Sequence, residues 1–484
     1  MSKTNIPNNT ESVAILEKYA QKSRQFTIND AASITGVPLL ESEYAIKNLM
    51  EKYDVKLKVT ENGDLIYDFG NMHRRNAKSF SEYFADFMSW LWTAFSYVYK
   101  FTISIVLVVY FIVFLVLLIG LAMASMAGNN ENDNRSSNNG GGVLISMIVR
   151  TFLDIFMWNR FYAPSVYYTT DRYGYTYPHY NNRPSAMNTK NDGKKGFIAS
   201  IYDFVFGPKR VEIDPLANKQ EVASFLRKHK GIIVTSELQA LAGWKRDEAD
   251  IFMTECLAHF DGRAEVSPNG TLYGDYIELV RAANRTGEAP IIYYWDEYEA
   301  PYELTGNTTT YNVIIILMNI FNLVMSIVLL GAFYSEEAAA QVGFNLSSVA
   351  FLGWIPLVYS MLFFMIPLFR WIGIAKKNKQ QHQHNIRKRL MKVIFQSQNP
   401  VISLQTLLNA ANQRKKGEEE LDEATVKAIM EDLVYDLKGE LIIDPQTAEL
   451  KYDFSELDRE LADAEEARND KNRDNNIGRI ILNT

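Results

Sequence analysis

The sequence predicts a multi-domain chain in which α-helical transmembrane segments, arranged as two hairpins, carry three α+β soluble domains of winged-helix type. Three observations predict it. Long apolar runs alternate with strongly charged stretches. Three polar stretches share one order of helix and turn signals. Each of those stretches closes on a strand that ends in an acid–aromatic pair. The 484 residues leave room for several domains, and the net charge of −7 argues against nucleic acid as the main partner.

Residues 1–72 form the first expected domain. Its start, Met1 to Thr10, is polar and Asn-rich and lacks the apolar core of a cleaved signal peptide, so the first long apolar run is expected to stay as a signal-anchor. Helical patterns cover Ser12 to Gln21, Ile28 to Thr35 and Leu40 to Glu51, with Asn29 as an N-cap and Gly36 as a C-cap. A hairpin follows. Its first strand is Val55 to Thr60, its second ends in Tyr67, Asp68 and Phe69, and Asn62-Gly63 between them predicts a type I′ turn with positive φ at both central residues.

Residues 80–160 read as an interfacial helix and the first transmembrane hairpin. Phe80 to Tyr99 is rich in Phe, Trp and Tyr, and Phe101 to Ala127 is uncharged and longer than the roughly 20 residues a bilayer needs. Val143 to Trp158 is the expected second leg, although short. It contains Arg150 and Asp154, four apart and able to pair on one helix face. Counting it as a span puts the basic flanks, from Arg74 and Lys100 through Lys190 and Arg210 to Lys376 and Arg389, on one side, as the positive-inside rule asks. Residues 161–205 read as a Tyr-rich linker, with Tyr167, Tyr168, Tyr173, Tyr175, Tyr177 and Tyr180 forming an interfacial belt or a contact surface.

The second domain, residues 206–280, repeats the grammar: Lys219 to His229, Thr235 to Ala242 closed by Gly243, Asp247 to His259, then a hairpin around Asn269-Gly270 ending in Asp275 and Tyr276. Ser236 is its expected N-cap. Residues 281–310 read as a linker. Residues 311–373 hold the second transmembrane hairpin, Tyr311 to Tyr334 and Val349 to Ile372, the latter with Pro356 and Pro367 inside it. Asn319, Asn322 and Ser326 share one helix face and read as helix-packing residues, with a polar permeation path as the alternative. The third domain, residues 385–455, has helices at Ile386 to Gln396, Ser403 to Ala411 and Asp422 to Leu437, and a hairpin ending in Tyr452, Asp453 and Phe454. Ser403 is its N-cap, and Pro445-Gln446-Thr447 replaces Asn-Gly. Residues 456–484 are a charged tail, in which Glu456 to Glu466 reads as a solvated helix.

No catalytic chemistry is legible. The single cysteine, Cys256, cannot form an internal disulfide or complete a zinc or iron–sulfur site within one chain, and reads as a buried small apolar residue. His382-x-His384 reads as a solvated linker. No phosphate loop, nucleophile elbow or zinc-protease motif occurs. No cofactor or metal is implied, and the chain reads as a non-enzyme. Third helices of winged-helix domains read DNA through Arg and Lys, whereas here they are mixed or acidic: Glu41 and Glu43 with Lys47, then Lys245 and Arg246 with Asp247, Glu248, Asp250 and Glu255, then Asp422 and Glu423.

Phe204-Val205-Phe206-Gly207-Pro208, followed by Ile213-Asp214-Pro215, resembles a family of uncharacterised integral membrane proteins of bacteria and plastids, over residues 196–276. Some members carry an iron–sulfur biosynthesis label, for which the lone Cys256 supplies no ligand set. The sequence thus leads to an expected membrane-anchored scaffold of a bacterial inner membrane. Its cytoplasmic domains would bind protein partners or second copies of the chain. An oligomeric transporter or channel component and a membrane-bound transcription regulator are the alternatives.

Overall fold

A computed structural model describes residues 9–75, 80–127, 166–170, 176–180, 197–208, 216–281, 283, 288–296, 299, 301–332, 350–413, 420–443, 449–471 and 478–483. The fold is mostly helical with small antiparallel sheets. In chain order, a first section holds α1 (Asn9–Lys22), β1 (Gln25–Phe26), α2 (Ile28–Thr35), α3 (Leu39–Lys52), β2 (Lys56–Thr60) and β3 (Leu65–Asp68). Then come α4 (Phe80–Ala127), β4 (Val166–Thr170), β5 (Thr176–Tyr180) and α5 (Phe197–Phe206). A second section holds α6 (Ala217–Lys228), β6 (Ile232–Val234), α7 (Thr235–Ala242), α8 (Arg246–His259), β7 (Arg263–Val266) and β8 (Leu272–Asp275), followed by the short α9 (Ile277–Val280). Next are α10 (Thr309–Ala332) and α11 (Ile355–Gln396). The C-terminal part of α11 opens a third section with β9 (Val401–Ser403), α12 (Leu404–Ala411), α13 (Glu423–Asp436), β10 (Glu440–Ile443) and β11 (Leu450–Asp453). The chain closes with α14 (Ser455–Asp470) and β12 (Ile480–Asn483). Two compact units result: Met1–Ser79, Glu212–Glu299 and Gln381–Thr484 form one, and Phe80–Val211 with Ala300–Gln380 the other.

In the first unit each section is a three-stranded sheet under three helices, not the two-stranded ribbon expected. The extra strands β1, β6 and β9 are two or three residues long and run straight into the next helix, too short for an alternating pattern. They pair with the last hairpin strand, giving the orders β1-β3-β2, β6-β8-β7 and β9-β11-β10. One backbone bond recurs at the same place. The amide after the last strand donates to the carbonyl just before the first: Phe69 to Arg24 at 2.8 Å, Tyr276 to Gly231 at 2.8 Å, Phe454 to Pro400 at 2.9 Å.

The hairpin turns differ from expectation. Gly63 and Gly270 have φ of 84° and 91°, but Asn62 and Asn269 do not have positive φ, so neither turn is type I′. Instead Gly63 N–H bonds Thr60 O, and Thr60 N–H bonds Asp64 O. Gly270 to Ser267 and Ser267 to Thr271 reproduce this pattern. These are three-residue loops with glycine in the left-handed position. The Pro445-Gln446-Thr447 turn lies outside the described residues. Two N-caps also differ. Thr27 caps α2 through a capping box with Asp30, leaving Asn29 inside the helix, and Val234 precedes α7, leaving Ser236 within it. Ser403 caps α12, accepting from Thr406 N–H at 3.2 Å.

The three sections pack as one body. Asp30 and Arg227, both with fully buried side chains, pair at 2.9 Å between α2 and α6. Gln220 donates to Thr35 O at 3.0 Å, and His259 Nε2 lies 2.7 Å from Gly36 O. A Cβ at Gly36 would meet Leu216 O at 2.9 Å, so glycine sets this approach as well as the left-handed cap. Gln239 donates to Asp436 O at 2.9 Å, tying α7 to the end of α13.

The tail is not a freely solvated helix. Leu457, Glu460, Asp463, Ala464 and Arg468 of α14 are buried against the second section, and Ala464 joins Ile232, Val234 and Tyr273 in one apolar cluster. Beyond it, β12 adds antiparallel to the outer edge of β2, with a bulge between Ile480 and Leu482. The alternating charges of the tail conceal a buried stripe at helical spacing, apolar at Leu457 and Ala464 and charged at Glu460, Asp463 and Arg468.

Among the described residues, three helices of the second unit are long and apolar enough to cross a membrane: Phe101–Gly120 within α4, all of α10, and the apolar part of α11. The chain is therefore described as a membrane protein. The fourth expected span, Val143 to Trp158 with Arg150 and Asp154, lies outside the described residues. The expected interfacial helix and first span are one 48-residue helix, α4. At 1.5 Å per residue it is about 72 Å long, more than twice a hydrocarbon core of ~30 Å. Likewise α11 runs without a break through Pro367 and the His382-x-His384 stretch expected to be a linker. The Tyr-rich linker contains the β4–β5 hairpin and ends in α5. Ile201, Phe204 and Val205 of α5 pack with Leu107, Ile315 and Phe363.

Candidate interaction surfaces

The acid–aromatic pairs that close the hairpins build cores. Phe69 is buried and stacks on Phe26 at 5.3 Å, Tyr276 is fully buried with its hydroxyl toward Met253 Sδ at 3.7 Å, and Phe454 is buried as well. Tyr67 and Tyr452 are buried beside them. Gly262 and Gly439 sit under these rings: an added Cβ would meet Tyr276 at 2.5 Å and Phe454 at 2.7 Å. The acids are held by polar partners, local for Asp68 and Asp453 and distant for the buried Asp275. Asp68 pairs with Lys58 at 2.8 Å, Asp275 pairs with Lys471, and Asp453 accepts from Ser455 N–H at 2.9 Å at the start of α14. Cys256 is buried in the second core, where burial pushes its thiol well above the usual range.

What is left outside is the face of each third helix. On α3 the exposed residues are Leu40, Tyr44, Lys47 and Glu51, one stripe at helical spacing. Lys47 is engaged by Glu43 at 2.7 Å. On α8 the exposed residues are Asp247, Glu248, Asp250, Ile251, Thr254 and Ala258. On α13 they include Glu423, Lys427, Glu431, Asp432 and Tyr435, with Lys427 paired to Glu423 at 2.6 Å. Leu40 is 78% exposed and Tyr435 74%. These faces are apolar or acidic, and each of their two exposed lysines is paired within its own helix.

The tail is held by charge. Arg468 is bonded to both carboxylate oxygens of Glu237, at 2.6 and 2.7 Å, and to Ile232 O. Arg246 forms a two-pronged pair with Glu460 at 2.8 and 3.1 Å. Burial works to raise the Glu460 carboxyl, and the bond and charge of Arg246 overcome it, leaving it below the usual carboxylate range. Asp463 accepts from Ser267 at 2.6 Å and from Asn269 at 2.7 Å, so α14 grips the turn of the second hairpin.

In the membrane unit Asn319, Asn322 and Ser326 are buried on α10. Asn319 donates to Ser360 O of α11 and Asn322 to Leu107 O of α4, both at 3.0 Å, while Ser326 turns back to Asn322 O at 2.7 Å. The two amides thus bind two different neighbours. At the end of α5, Arg370 Nη1 donates to Val205 O at 3.0 Å, and Gly207, with φ 84°, leaves the space that the guanidinium fills. A cation at a helix C-terminus meets the negative end of its dipole. Nothing in the sequence pattern linked Gly207 to Arg370, which lies far along the chain.

An uncharacterised chloroplastic protein of Arabidopsis thaliana is 24% identical over 433 residues, covering 84% of this chain and 77% of the relative. The chain matches no protein-family model. No solved structure matches it either.

Proposed function

We propose that this chain is a membrane-anchored scaffold whose winged-helix-like domains bind protein. The order helix, strand, helix, helix, strand, strand, with the sheet ordered first-third-second, is that of a winged helix, and it occurs three times. The observation that carries the functional reading is the exposed face of the third helices. A winged helix that reads DNA offers Arg and Lys there, because phosphate contacts dominate affinity. Here Leu40, Tyr44, Ile251 and Tyr435 stand out among acids. Exposed aromatic and aliphatic residues on a rigid helix are the composition of protein contacts. The soluble domains lie on the side where the Lys- and Arg-rich flanks gather.

The test is photo-crosslinking of the full chain in its native membrane, with a photoreactive residue at Leu40, Tyr44, Ile251 or Tyr435. Discrete protein adducts are expected from at least two of the four positions. Adducts to nucleic acid, or none at any position, would overturn the reading. Solute flux in proteoliposomes that is abolished by Asn319→Leu would favour a transporter component, the reading that the buried amides of α10 support.

A further inference from the structure

The three hairpins present three outer edges, and two are blunted. The edge of β2 is covered by β12, which itself carries a bulge. The edge strand β7 reads Arg263-Ala264-Glu265-Val266, and Glu265 is paired with Lys471 at 2.6 Å. Charges, bulges and covering strands are the usual means of protecting an edge. The third edge has neither a bulge nor a covering strand among the described residues, and its one charge, Glu440, stands at its first position. β10 pairs with β11 in four consecutive regular steps, Glu440↔Asp453 to Ile443↔Leu450, and among the described residues no strand lies on its other side. Leu441 is 57% exposed and Ile443 64%, and Ile442 is exposed too.

We propose that β10 is a self-association edge, occupied by β10 of a second copy in antiparallel pairing. This rests on the scaffold reading and names its partner. A two-fold axis through an antiparallel pair sets one residue opposite itself. Centring on Ile442 would leave Glu440 without a partner inside the other copy's β10. Centring on Leu441 opposes Glu440 to Ile442 of the other copy and Leu441 to Leu441, so Glu440 is paired within the strand. In the same register Lys451, the neighbour of Ile442 on β11, comes within about two strand spacings, ~10 Å, of the other copy's Glu440. That cation is complementary to an acid whose own neighbour on β11 is Asp453. Membrane anchoring keeps two copies at high effective concentration, so a four-residue edge suffices.

The register gives the test. Opposed residues of an antiparallel pair have Cα atoms within disulfide range. The full chain is oxidised mildly in its native membrane, carrying Leu441→Cys, Ile442→Cys or Ile443→Cys, with the unsubstituted chain and its buried Cys256 as control. Only Leu441→Cys is expected to give a crosslinked dimer, at least tenfold above the other two. The unsubstituted chain, sized in detergent, is expected to be dimeric and Leu441→Lys monomeric, at unchanged helix content. No dimer from Leu441→Cys, equal dimers from all three, or a dimer linked through Ile442 alone overturns the proposal. Partner adducts at Tyr44 from a monomeric chain would overturn it and leave the scaffold reading intact. Absence of both removes both.

Discussion

The two units bury polar groups in opposite ways. The first buries full charges: Asp30 and Arg227 have no exposed side-chain surface, and every oxygen of Asp30 is used. Oδ1 meets Arg227, and Oδ2 accepts from Thr27 and Ala283 N–H at 3.0 and 3.1 Å. Arg227 reaches Glu288 and Leu279 O as well. The membrane unit buries neutral amides instead, and among the described residues no donor reaches Oδ1 of Asn319 or Asn322. The difference follows the solvent of the unfolded or undocked state. Desolvated charges demand complete pairing, and breaking one pair leaves an uncompensated ion. In lipid a charge is costly throughout, so amides that bind carbonyls of neighbouring helices replace it.

The sharpest way to break this comparison is to orphan a charge. Asp30→Ala is expected to cost about 3–5 kcal/mol, because among the described residues Arg227 keeps only Glu288 as counter-ion. Hydrogen exchange should lose protection first in α2 and α6. The double variant Asp30→Leu with Arg227→Met should recover most of that loss, since paired apolar replacement of a buried ion pair is close to neutral. Recovery of less than half would mean that the pair does more than balance its own desolvation. Next in size is Arg468→Ala, at about 3 kcal/mol, which strands the buried Glu237. Exchange should rise through α14 and β12 together while α3 and α13 stay protected. If β12 keeps its protection, the strand is held by β2 alone and the ion pairs do not anchor the tail.

These joints mark the boundary of what the sequence disclosed. Helices α2 and α7 end where the sequence indicates, because Gly36 and Gly243 end them locally, while their N-caps fall at Thr27 and Val234 rather than at Asn29 and Ser236. The membrane runs were legible for the same reason: composition over 20 residues is a local property. The joints are not local. Asp30 meets Arg227 across nearly two hundred positions, and Arg370 reaches Val205, at the same helix end as Gly207, across 165. A charged tail looks solvated unless the partner of each charge is known. The exposed stripe Leu40, Tyr44, Lys47, Glu51 could have been found by asking which residues of α3 the apolar periodicity leaves outside. The edge of β10 could not, because its freedom depends on where β12 goes.

A smaller effect separates burial from charge within the first unit. His259 is buried with its Nε2 toward Gly36 O, and burial lowers its pKa to about 4, with Lys219 adding to the shift and the carbonyl opposing it. The folded value lies below the unfolded one near 6.5. Above that value the group adds no pH dependence. As pH falls from 6.5 toward 4, the unfolded chain binds a proton that the folded chain refuses, so stability declines by roughly 1.4 kcal/mol per pH unit for this group. His229 is shifted in the same direction, to about 4, chiefly by burial. Thermal melts of His259→Gln should therefore show a shallower acid slope, with the glutamine amide still able to donate to Gly36 O. An unchanged slope would assign the acid sensitivity to His229 and the carboxylates.

The smallest expected change tests the membrane side of the comparison. Asn319→Leu removes one donor to Ser360 O and one unfulfilled acceptor together, so the loss and the relief partly offset. Interhelical hydrogen bonds in lipid average about 0.6 kcal/mol, and the substitution should cost about that much in unfolding titrations of the full chain in mixed micelles. Asn322→Leu should behave alike. The two should add, because one amide binds α11 and the other α4 and they share no partner. A cost of 3 kcal/mol or more, or strong coupling between the two substitutions, would mean that the amides act as one network. The membrane unit would then depend on complete polar pairing as the Asp30–Arg227 joint does, and the contrast between the two would fail.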